Sequence, residues 1–315
     1  MKVENGTTTI THYVRLEPAN YPNATTPSAI LGEAAEYGIV ADCYRQTGHT
    51  ETNFAVNHYY SNGTNIDIDG SGDGLMPWWV GDIASGQLWI SSGTAVDIDL
   101  NITQSDFDSK LHDTTEKTVD GQKVSRINPI IKTEAEINSY VNGLISEGRA
   151  MSAWLATQKT IAPTLEDCQA TGRMMATKGY NGNPCLDTTM FPDGITIYVD
   201  CTNILDVIKG NWNIAKQPGQ SIVFNMPGAH SYINEFNVYE MDDNYNLVTR
   251  TLKQYGTAPN PLKSTTDALN GDKNKNQAAD EVILEHITFN CYQASTMELH
   301  NATALFLVPN GTVDA

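Results

Sequence analysis

An acidic stretch that begins at Asn65 carries the strongest signal for chemistry in the sequence. Oxygen-bearing side chains occupy alternate positions there, and alternate residues of an extended chain point to the same side. Asn65, Asp67 and Asp69 are therefore expected to converge on one hard cation, for which calcium is the candidate. Asp73 would complete the shell. Met76 stands where an EF-hand has its bidentate glutamate, so a solvated turn of Asp and Gly is the competing interpretation.

Large aromatic residues lie close to this stretch on both sides. Trp78 and Trp79 are adjacent, and neighbours in a strand face opposite sides, so we expect one indole in the core and the other at the surface. An exposed Trp, helped by Trp89 or by Tyr59 and Tyr60, would stack on a sugar ring or anchor a protein partner. These five residues are the predicted ligand contacts, and burial of both adjacent indoles is the alternative.

Signals for catalysis are weaker. Cys43 lies near His49 and His58 in the sequence, and strands could bring a thiol and a base together, but no orienting acid or oxyanion motif is identifiable. Paired carboxylates for glycoside cleavage stay open because acidic residues are abundant. No glycine-rich phosphate loop or G-x-S-x-G motif occurs. We therefore predict a protein that is not an enzyme, with no catalytic residues.

Charge and composition restrict the partners. The 315 residues include 19 Lys and Arg against 37 Asp and Glu, a net charge of −18. Nucleic acid and anionic membrane surfaces are excluded as partners, because both attract cationic proteins. Hydrophobic residues make up 40% of the chain, enough for a sizeable core. The longest apolar run near the C-terminus has five residues and ends at Val308, too short to insert into a bilayer.

The cysteines and the chain ends bear on the cellular compartment. None of the five Cys forms a C-x-x-C pair, and reduced, mostly buried thiols are the favoured interpretation. A disulfide between Cys168 and Cys185 is the alternative. No apolar signal segment follows Met1, and the chain stops soon after a strand-like run. Export and anchoring signals are therefore expected outside this segment.

Short strand-like runs separated by Gly, Asn and Asp dominate the chain, which favours a mainly β fold. An edge strand or arm is expected at 7–14, an irregular insertion at 101–132 and a polar loop at 255–280. The other predicted strands are 37–41, 54–60, 78–80, 87–90, 95–100, 195–199, 204–208, 221–225, 236–241, 281–290, 296–299 and 305–308.

One amphipathic helix interrupts the β pattern. Thr133 and Glu136 form a capping box, and apolar residues from Ile137 to Leu155 recur at helical spacing. This spacing predicts a helix over 134–160 whose apolar stripe covers a β face. The helix would share the β core, so we predict an arm at 1–28 and a single domain at 29–315, with a helical insertion at about 101–192.

The segment LGEAAEYGIVA at 31–41 resembles the opening of bacterial surface proteins of the choice-of-anchor A family, an adhesin-like domain related to ice-binding-like β-solenoids. Further echoes follow in the family's order at WVGDI (79–83), the long helix, IVFNMPG (222–228) and ALFLVPNGT (304–312). The resemblance covers about residues 29–312. It implies a right-handed parallel β-solenoid with irregular coils and one long α-helix packed alongside, and the family carries no known catalytic residues.

The resemblance further implies a domain displayed on the cell wall of a Gram-positive bacterium, outside the cell. We therefore predict a non-catalytic adhesin that binds a host or matrix protein or glycan, with calcium as the candidate cofactor. A carbohydrate-active β-helix enzyme, lyase or hydrolase, is the first alternative. A structural stalk or tip domain without a ligand is the second.

Overall fold

The structure is a computed structural model that describes residues 2–4, 7–9, 26–48, 50, 52–68, 75–264, 273–300 and 302–314. In these residues the chain is mainly β, as predicted, with several mostly parallel sheets. The strands are β1 (Lys2–Glu4), β2 (Thr7–Thr9), β3 (Ile39–Arg45), β4 (Phe54–Tyr60), β5 (Leu75–Ser85), β6 (Leu88–Ile90), β7 (Asp97–Ile102), β8 (Leu111–Asp113), β9 (Lys117–Val119), β10 (Gln122–Val124), β11 (Ile127–Ile131), β12 (Cys185–Asp187), β13 (Thr196–Asp200), β14 (Trp212–Lys216), β15 (Ser221–Asn225), β16 (His230–Ile233), β17 (Phe236–Glu240), β18 (Thr251–Leu252), β19 (Gly256–Thr257), β20 (Leu262–Lys263), β21 (Ile287–Asn290), β22 (Thr296–Leu299), β23 (Leu305–Leu307) and β24 (Thr312–Asp314). The helices are α1 (Pro27–Leu31), α2 (Gln104–Lys110), α3 (Glu134–Ala156), α4 (Gly172–Met175), α5 (Leu205–Ile208) and α6 (Lys273–His286), with a 3-10 helix at Gly32–Glu36.

The chain divides into two compact units. The first unit comprises Leu31–Gly148, and the second comprises Met1–Ile30 together with Arg149–Ala315. The sequence instead predicts a single domain at 29–315, and this single domain stays a prediction.

Five parallel strands form the main sheet of the first unit, in the order β11-β7-β5-β4-β3. A second set of parallel pairs joins Thr50, Ile66, β6 and β8. The chain thus alternates between two β faces as it proceeds. Apolar side chains from both faces, among them Phe54, Trp78 and Leu88, form one buried cluster. Burial of this apolar surface is the main favourable term for the unit.

The alternation of inward and outward residues is interrupted at the same place in β3, β4 and β5. In β4, Val56 and Tyr59 both belong to the buried cluster, although alternation would put residues 56 and 58 on the same side. Two consecutive residues therefore point away from the core between one inward-facing residue and the next. In the three strands these pairs are Asp42–Cys43, Asn57–His58 and Gly81–Asp82.

The long helix α3 begins where the sequence predicts. The backbone N–H of Thr133 donates to Glu136 Oε2 at 2.8 Å, and the Glu136 N–H donates to Thr133 Oγ1 at 3.3 Å, the capping box expected from the sequence. In the first unit its apolar stripe, with Ile137 and Val141, packs on Ala55 of β4. The helix ends at Ala156 rather than near 160, because the N–H groups of residues 157 and 158 close tight turns onto the carbonyls three residues back.

The second unit stacks its strands in three parallel sets. The sheet orders are β13-β15-β21-β23, β12-β14-β17-β20 and β16-β22-β24, and within these three sheets β20 alone pairs antiparallel. Trp212, Phe224 and Phe289 lie in the shared core, where the two Phe rings stack at 4.9 Å between centroids. Side-chain amides also pair from strand to strand: Asn237 Nδ2 donates to Asn213 Oδ1 at 3.0 Å, and Asn290 Nδ2 donates to Asn225 Oδ1 at 2.8 Å. Such ladders satisfy buried amides and pin the strand register.

Four element predictions are wrong. The predicted polar loop at 255–280 contains β19, β20 and the start of α6 at Lys273. Residues 281–286 continue α6 instead of opening a strand, because the apolar residues Ala278, Ala279, Val282 and Ile283 recur at helical spacing and are buried. Residues 205–208 form the short helix α5. The segment 101–132 is ordered by pairing: β11 runs in register beside β7, with Ile127 opposite Ile98. In the predicted arm, Thr7–Thr9 is a strand paired with β1, and residues 10–14 lie outside the described residues.

Candidate functional site

The predicted calcium ligands are only partly described. Asn65 Nδ2 donates to Asp67 Oδ2 at 2.9 Å, so these two side chains do meet. Asp69 and Asp73 lie outside the described residues. In the part of the chain that the structure describes, no group of three or more His, Cys, Asp or Glu is arranged to hold a metal ion. Calcium binding stays a prediction.

Two of the predicted ligand contacts lie in the core. Trp78 and Tyr59 are both 0% exposed, and Trp78 packs against Phe54 with 4.8 Å between ring centroids. Both residues occupy inward positions of their strands, so neither side chain is accessible to a ligand. The expectation that one of the adjacent indoles faces inward is met by Trp78.

The other three predicted contacts are half-buried, and each already has a neighbour. Trp79 stacks on Tyr140 at 4.0 Å, and Lys132 Nζ lies 5.7 Å from its ring centroid, so the indole has little free face. Trp89 meets His112 edge-on at 5.2 Å. Tyr60 lies under the guanidinium of Arg45, whose Cζ is 4.5 Å from the ring centroid.

A row of three polar residues crosses the outer face of the main sheet. Cys43 on β3 pairs in register with His58 on β4, and His58 pairs with Asp82 on β5. We call Cys43, His58 and Asp82 the thiol row. His58 Nδ1 lies 2.8 Å from Asp82 Oδ1, and the two side chains are 37% and 35% exposed. A carboxylate only accepts, so Nδ1 carries the proton and donates to Asp82.

The residues beside the thiol row are fixed by hydrogen bonds. Asn57 Nδ2 donates to Asp42 Oδ1 at 2.7 Å and to Asn142 Oδ1 at 2.9 Å. The Cys43 thiol donates to Asp42 Oδ2 at 3.7 Å. Partial burial, followed by the Asp42 charge, raises the pKa of the Cys43 thiol. The resting group at neutral pH is therefore the thiol and not the thiolate.

Gly81 lets α3 approach the sheet next to this row. A Cβ at this position would lie 2.4 Å from the side-chain oxygen of Asn138 and 2.4 Å from the backbone oxygen of Asn57. Real Cβ atoms do not come so close to either atom. Any larger residue would push the helix away from the strand that carries Asp82.

Cys43 differs from the other cysteines in its exposure. All five cysteines are free, and Cys43 is exposed whereas the other four are buried. The alternative of a disulfide between Cys168 and Cys185 is absent; the Cys185 backbone N–H donates instead to the Cys168 carbonyl at 2.7 Å. Burial raises the pKa of Cys168 to about 12 and that of Cys291 to about 11. These four thiols are packing groups.

A shallow groove of about 360 Å³ lies along α6 in the second unit. Its lining includes Asp280, Glu281, Glu285 and Tyr255. Burial raises the pKa of Asp280 to about 6, partly offset by a hydrogen bond with Thr303. A carboxyl group with this pKa is protonated for part of the time near neutrality and can act as a general acid.

A buried charge network lies beside the same helix. Lys216 is fully buried, and its Nζ contacts Glu240 Oε1 at 3.0 Å. Arg250 Nε contacts the other carboxylate oxygen of Glu240 at 3.1 Å, and Arg250 Nη2 lies 3.1 Å from His286 Nε2. Burial lowers the pKa of His286 to about 3, helped by the neighbouring Lys216 and Arg250 charges. His286 is therefore neutral and accepts from the guanidinium, as a packing partner rather than a proton donor.

Sequence reasoning named Cys43 and His58 but not Asp82, which completes the row. A signal exists: each of the three strands carries two consecutive small or polar residues between inward apolar positions, as in Val56-Asn57-His58-Tyr59. The repeat of that pattern in β3, β4 and β5 indicates which residues stack. It becomes readable only when the strands are known to be parallel and in register.

Comparisons of the chain with protein-family models, with curated proteins and with solved structures found no significant match. None of the helices in the described ranges combines the length and apolar character that crossing a membrane requires. The function is therefore inferred from the geometry of these residues.

Proposed function

We propose that this chain is a bacterial cell-surface adhesin domain that binds a host or matrix protein or glycan. The binding face would be the outward C-terminal ends of β3, β4 and β5, with Arg45, Tyr60, His58 and Asp82. The observation that carries the proposal is the in-register display of these side chains on three neighbouring strands. A rigid sheet holds them in place without a loop, which lowers the entropic cost of binding.

The proposed scaffold is a right-handed parallel β-solenoid with irregular coils and one long helix packed alongside. Its support is the order of the strands: β3, β4, β5, β7 and β11 stack in chain order, and three parallel sets do so in the second unit. The asparagine pairs Asn213–Asn237 and Asn225–Asn290 add side-chain hydrogen bonds between neighbouring strands. This arrangement supports the solenoid that the resemblance to choice-of-anchor A proteins implies, and display outside the cell is part of the same proposal.

The chemistry of the face suits a polar ligand. The Tyr60 ring offers an apolar plane, and Arg45 above it offers hydrogen-bond donors in a fixed fork. Asp82 supplies an acceptor and the half-exposed His58 a further polar group. A flat ring flanked by fixed donors and acceptors is the usual arrangement for recognising sugars and polar peptide segments.

A glycan and matrix-protein array tests the proposal. The wild-type domain should bind a defined subset of spots, and Tyr60→Ala should weaken binding to that subset at least tenfold. Tyr232→Ala is the matched control, since Tyr232 is also half-buried beside a histidine, at 6.5 Å from His300, but lies in the second unit. Absence of any binding, the result expected for a structural stalk, would refute the adhesin proposal.

A carbohydrate-active enzyme is the second candidate, and the groove along α6 is what favours it. Asp280 with its raised pKa would be the general acid, and Glu281 and Glu285 lie one turn apart on the same helix as candidate partners. Release of reducing ends from a polysaccharide panel, lost in Asp280→Asn and kept in Glu298→Gln, would support this function. No release from any polysaccharide would remove it.

A further inference from the structure

We propose that Cys43 is a nucleophile that His58 deprotonates and Asp82 orients, and that the thiol row accepts an acyl group from an ester or thioester. This activity goes beyond adhesion and does not depend on it. The three side chains stand in the order nucleophile, base, acid on neighbouring strands β3, β4 and β5. The base therefore lies between the nucleophile, whose proton it would take, and the acid that orients it.

The register of the strands puts the thiol and the imidazole on neighbouring strands. Adjacent strands lie about 4.8 Å apart, so the register partners Cys43 and His58 are direct neighbours on the outer face. The bond from His58 Nδ1 to Asp82, at 2.8 Å, lies on the β5 side of β4. Cys43 stands on the other side of β4 from Asp82, because β3 and β5 flank β4.

The tautomer of His58 is the one that a general base requires. Because Nδ1–H donates to Asp82, Nε2 of the neutral ring is an acceptor. The pKa of the Cys43 thiol is raised, so the thiol keeps its proton at rest. Attack therefore needs a base in reach, and His58 is the base that the row supplies. Asp82 is a positioning residue, because it holds the tautomer of His58 without touching the substrate.

The acylation step balances without any redox partner. Cys43 Sγ adds to the carbonyl carbon while His58 Nε2 takes the thiol proton. The tetrahedral intermediate collapses, the bond to the leaving oxygen or sulfur breaks, and imidazolium returns the proton to the leaving group. The product is a thioester on Cys43 and a free alcohol or thiol. Water can then attack this thioester, with His58 as the base, to release a carboxylic acid and regenerate the thiol.

The surroundings suggest which acyl donors fit. Arg45 follows Cys43 by two residues, and its guanidinium lies over Tyr60 at the edge of the row. A cation and an aromatic plane beside the nucleophile favour a donor with an anionic or hydrogen-bond-accepting group.

Acylation by p-nitrophenyl acetate tests the proposal on the whole chain. The wild type should release a burst of nitrophenolate, and mass spectrometry of a digest should find one acetyl group on the peptide that contains Cys43. Cys43→Ala should abolish both signals. His58→Gln and Asp82→Asn should each slow the burst about 100-fold, the contribution of general base catalysis. His230→Gln is the matched control, since His230 also pairs with a carboxylate, Glu298, at 3.5 Å on an exposed surface.

The pH dependence separates catalysis from a structural role. In the wild type the burst rate should rise and reach its plateau at a pH below the one at which the thiol itself ionises. In His58→Gln that rise should move to the thiol's own, raised pKa. Circular dichroism of each variant checks that it folds.

Two results would overturn the proposal. One is equal burst rates and pH profiles in the wild type, His58→Gln and Asp82→Asn. The other is no acetylation of Cys43 in a wild-type sample that iodoacetamide does label at Cys43. Neither result bears on the array experiment, which uses no acyl donor, so the two proposals fail separately.

Discussion

Two groups on helix α6 should make opposite contributions to the pH dependence of stability. His286 has a pKa near 3 in the folded chain instead of 6.5, because it is buried beside Arg250 and Lys216. Between these values the unfolded chain binds a proton that the folded chain does not, so stability is lost as the pH falls through this window. Each pH unit is worth about 1.4 kcal/mol. Lowering the pH from 8 to 5 should therefore cost about 2 kcal/mol through His286 alone.

Asp280 has the opposite sign. Burial raises its pKa from 3.8 to about 6, so the folded chain holds a proton that the unfolded chain has released. Its contribution is present below the unfolded value and is lost as the pH rises through the window to 6. By pH 7 the loss amounts to about 3 kcal/mol. Between pH 4 and 6 the two slopes have similar size and opposite sign, so the wild-type stability should change little there.

Single substitutions should expose each slope. In His286→Asn the free energy of unfolding should fall by about 2 to 3 kcal/mol from pH 4 to pH 6, and in Asp280→Asn it should rise by a similar amount. Urea unfolding at half-unit pH intervals measures this, with the m-value as the check that the unfolding transition is unchanged. His230→Asn, at an exposed histidine, should run parallel to the wild type. If all four curves are parallel, the assignment of these pKa values to burial in the fold is wrong.

Three further predictions concern packing and charge. Gly81→Ala should destabilise the fold by about 1 to 3 kcal/mol, because its Cβ would overlap α3 and β4. Gly143→Ala, which lies on α3 and faces open space, should stabilise the fold by about 0.5 to 1 kcal/mol. Thermal melting compares the two variants, and equal shifts in Tm would contradict the close approach at Gly81. Glu240→Gln should cost about 3 to 5 kcal/mol because it leaves the buried Lys216 charge unpaired, and the double replacement with Lys216→Met should recover part of that in urea titrations. In the native state iodoacetamide should modify Cys43 alone, and the other four thiols should react only after unfolding; early labelling at a second site, seen by mass spectrometry, would count against their burial.

The sequence predicted elements well where local signals were strong. The strands Phe54–Tyr60, Ser221–Asn225 and Thr296–Leu299 are found at the predicted bounds, since apolar and β-branched residues are flanked there by turn residues. The capping box placed the start of α3 correctly. Helix α6 was missed altogether: its first residues are polar and were predicted as a loop, and the apolar run from Val282 fits either a buried strand or a helix over so few residues.

Much less of the candidate site could be predicted, because it depends on the register between strands. The alternation rule showed that Trp78 and Trp79 face opposite sides but not which of them is inward. His58 and Asp82 are 24 residues apart in sequence and meet only because β4 and β5 pair in parallel. A local sequence pattern cannot reveal the pairing of His58 with Asp82, because the segment between the two strands is long.

The pairing of β7 with β11 has a consequence for what the chain can carry. Ile102 and Ile131 are partners at the ends of these strands, although residues 103–126 leave the sheet between them and return. The register between β7 and β11 is therefore kept although the intervening segment does not belong to this sheet. Closing a longer excursion costs only about 0.6 kcal/mol for each doubling of its length. Foreign peptides could be inserted between residues 103 and 126 as cargo. The parallel strands would then serve as a display scaffold whose register does not change.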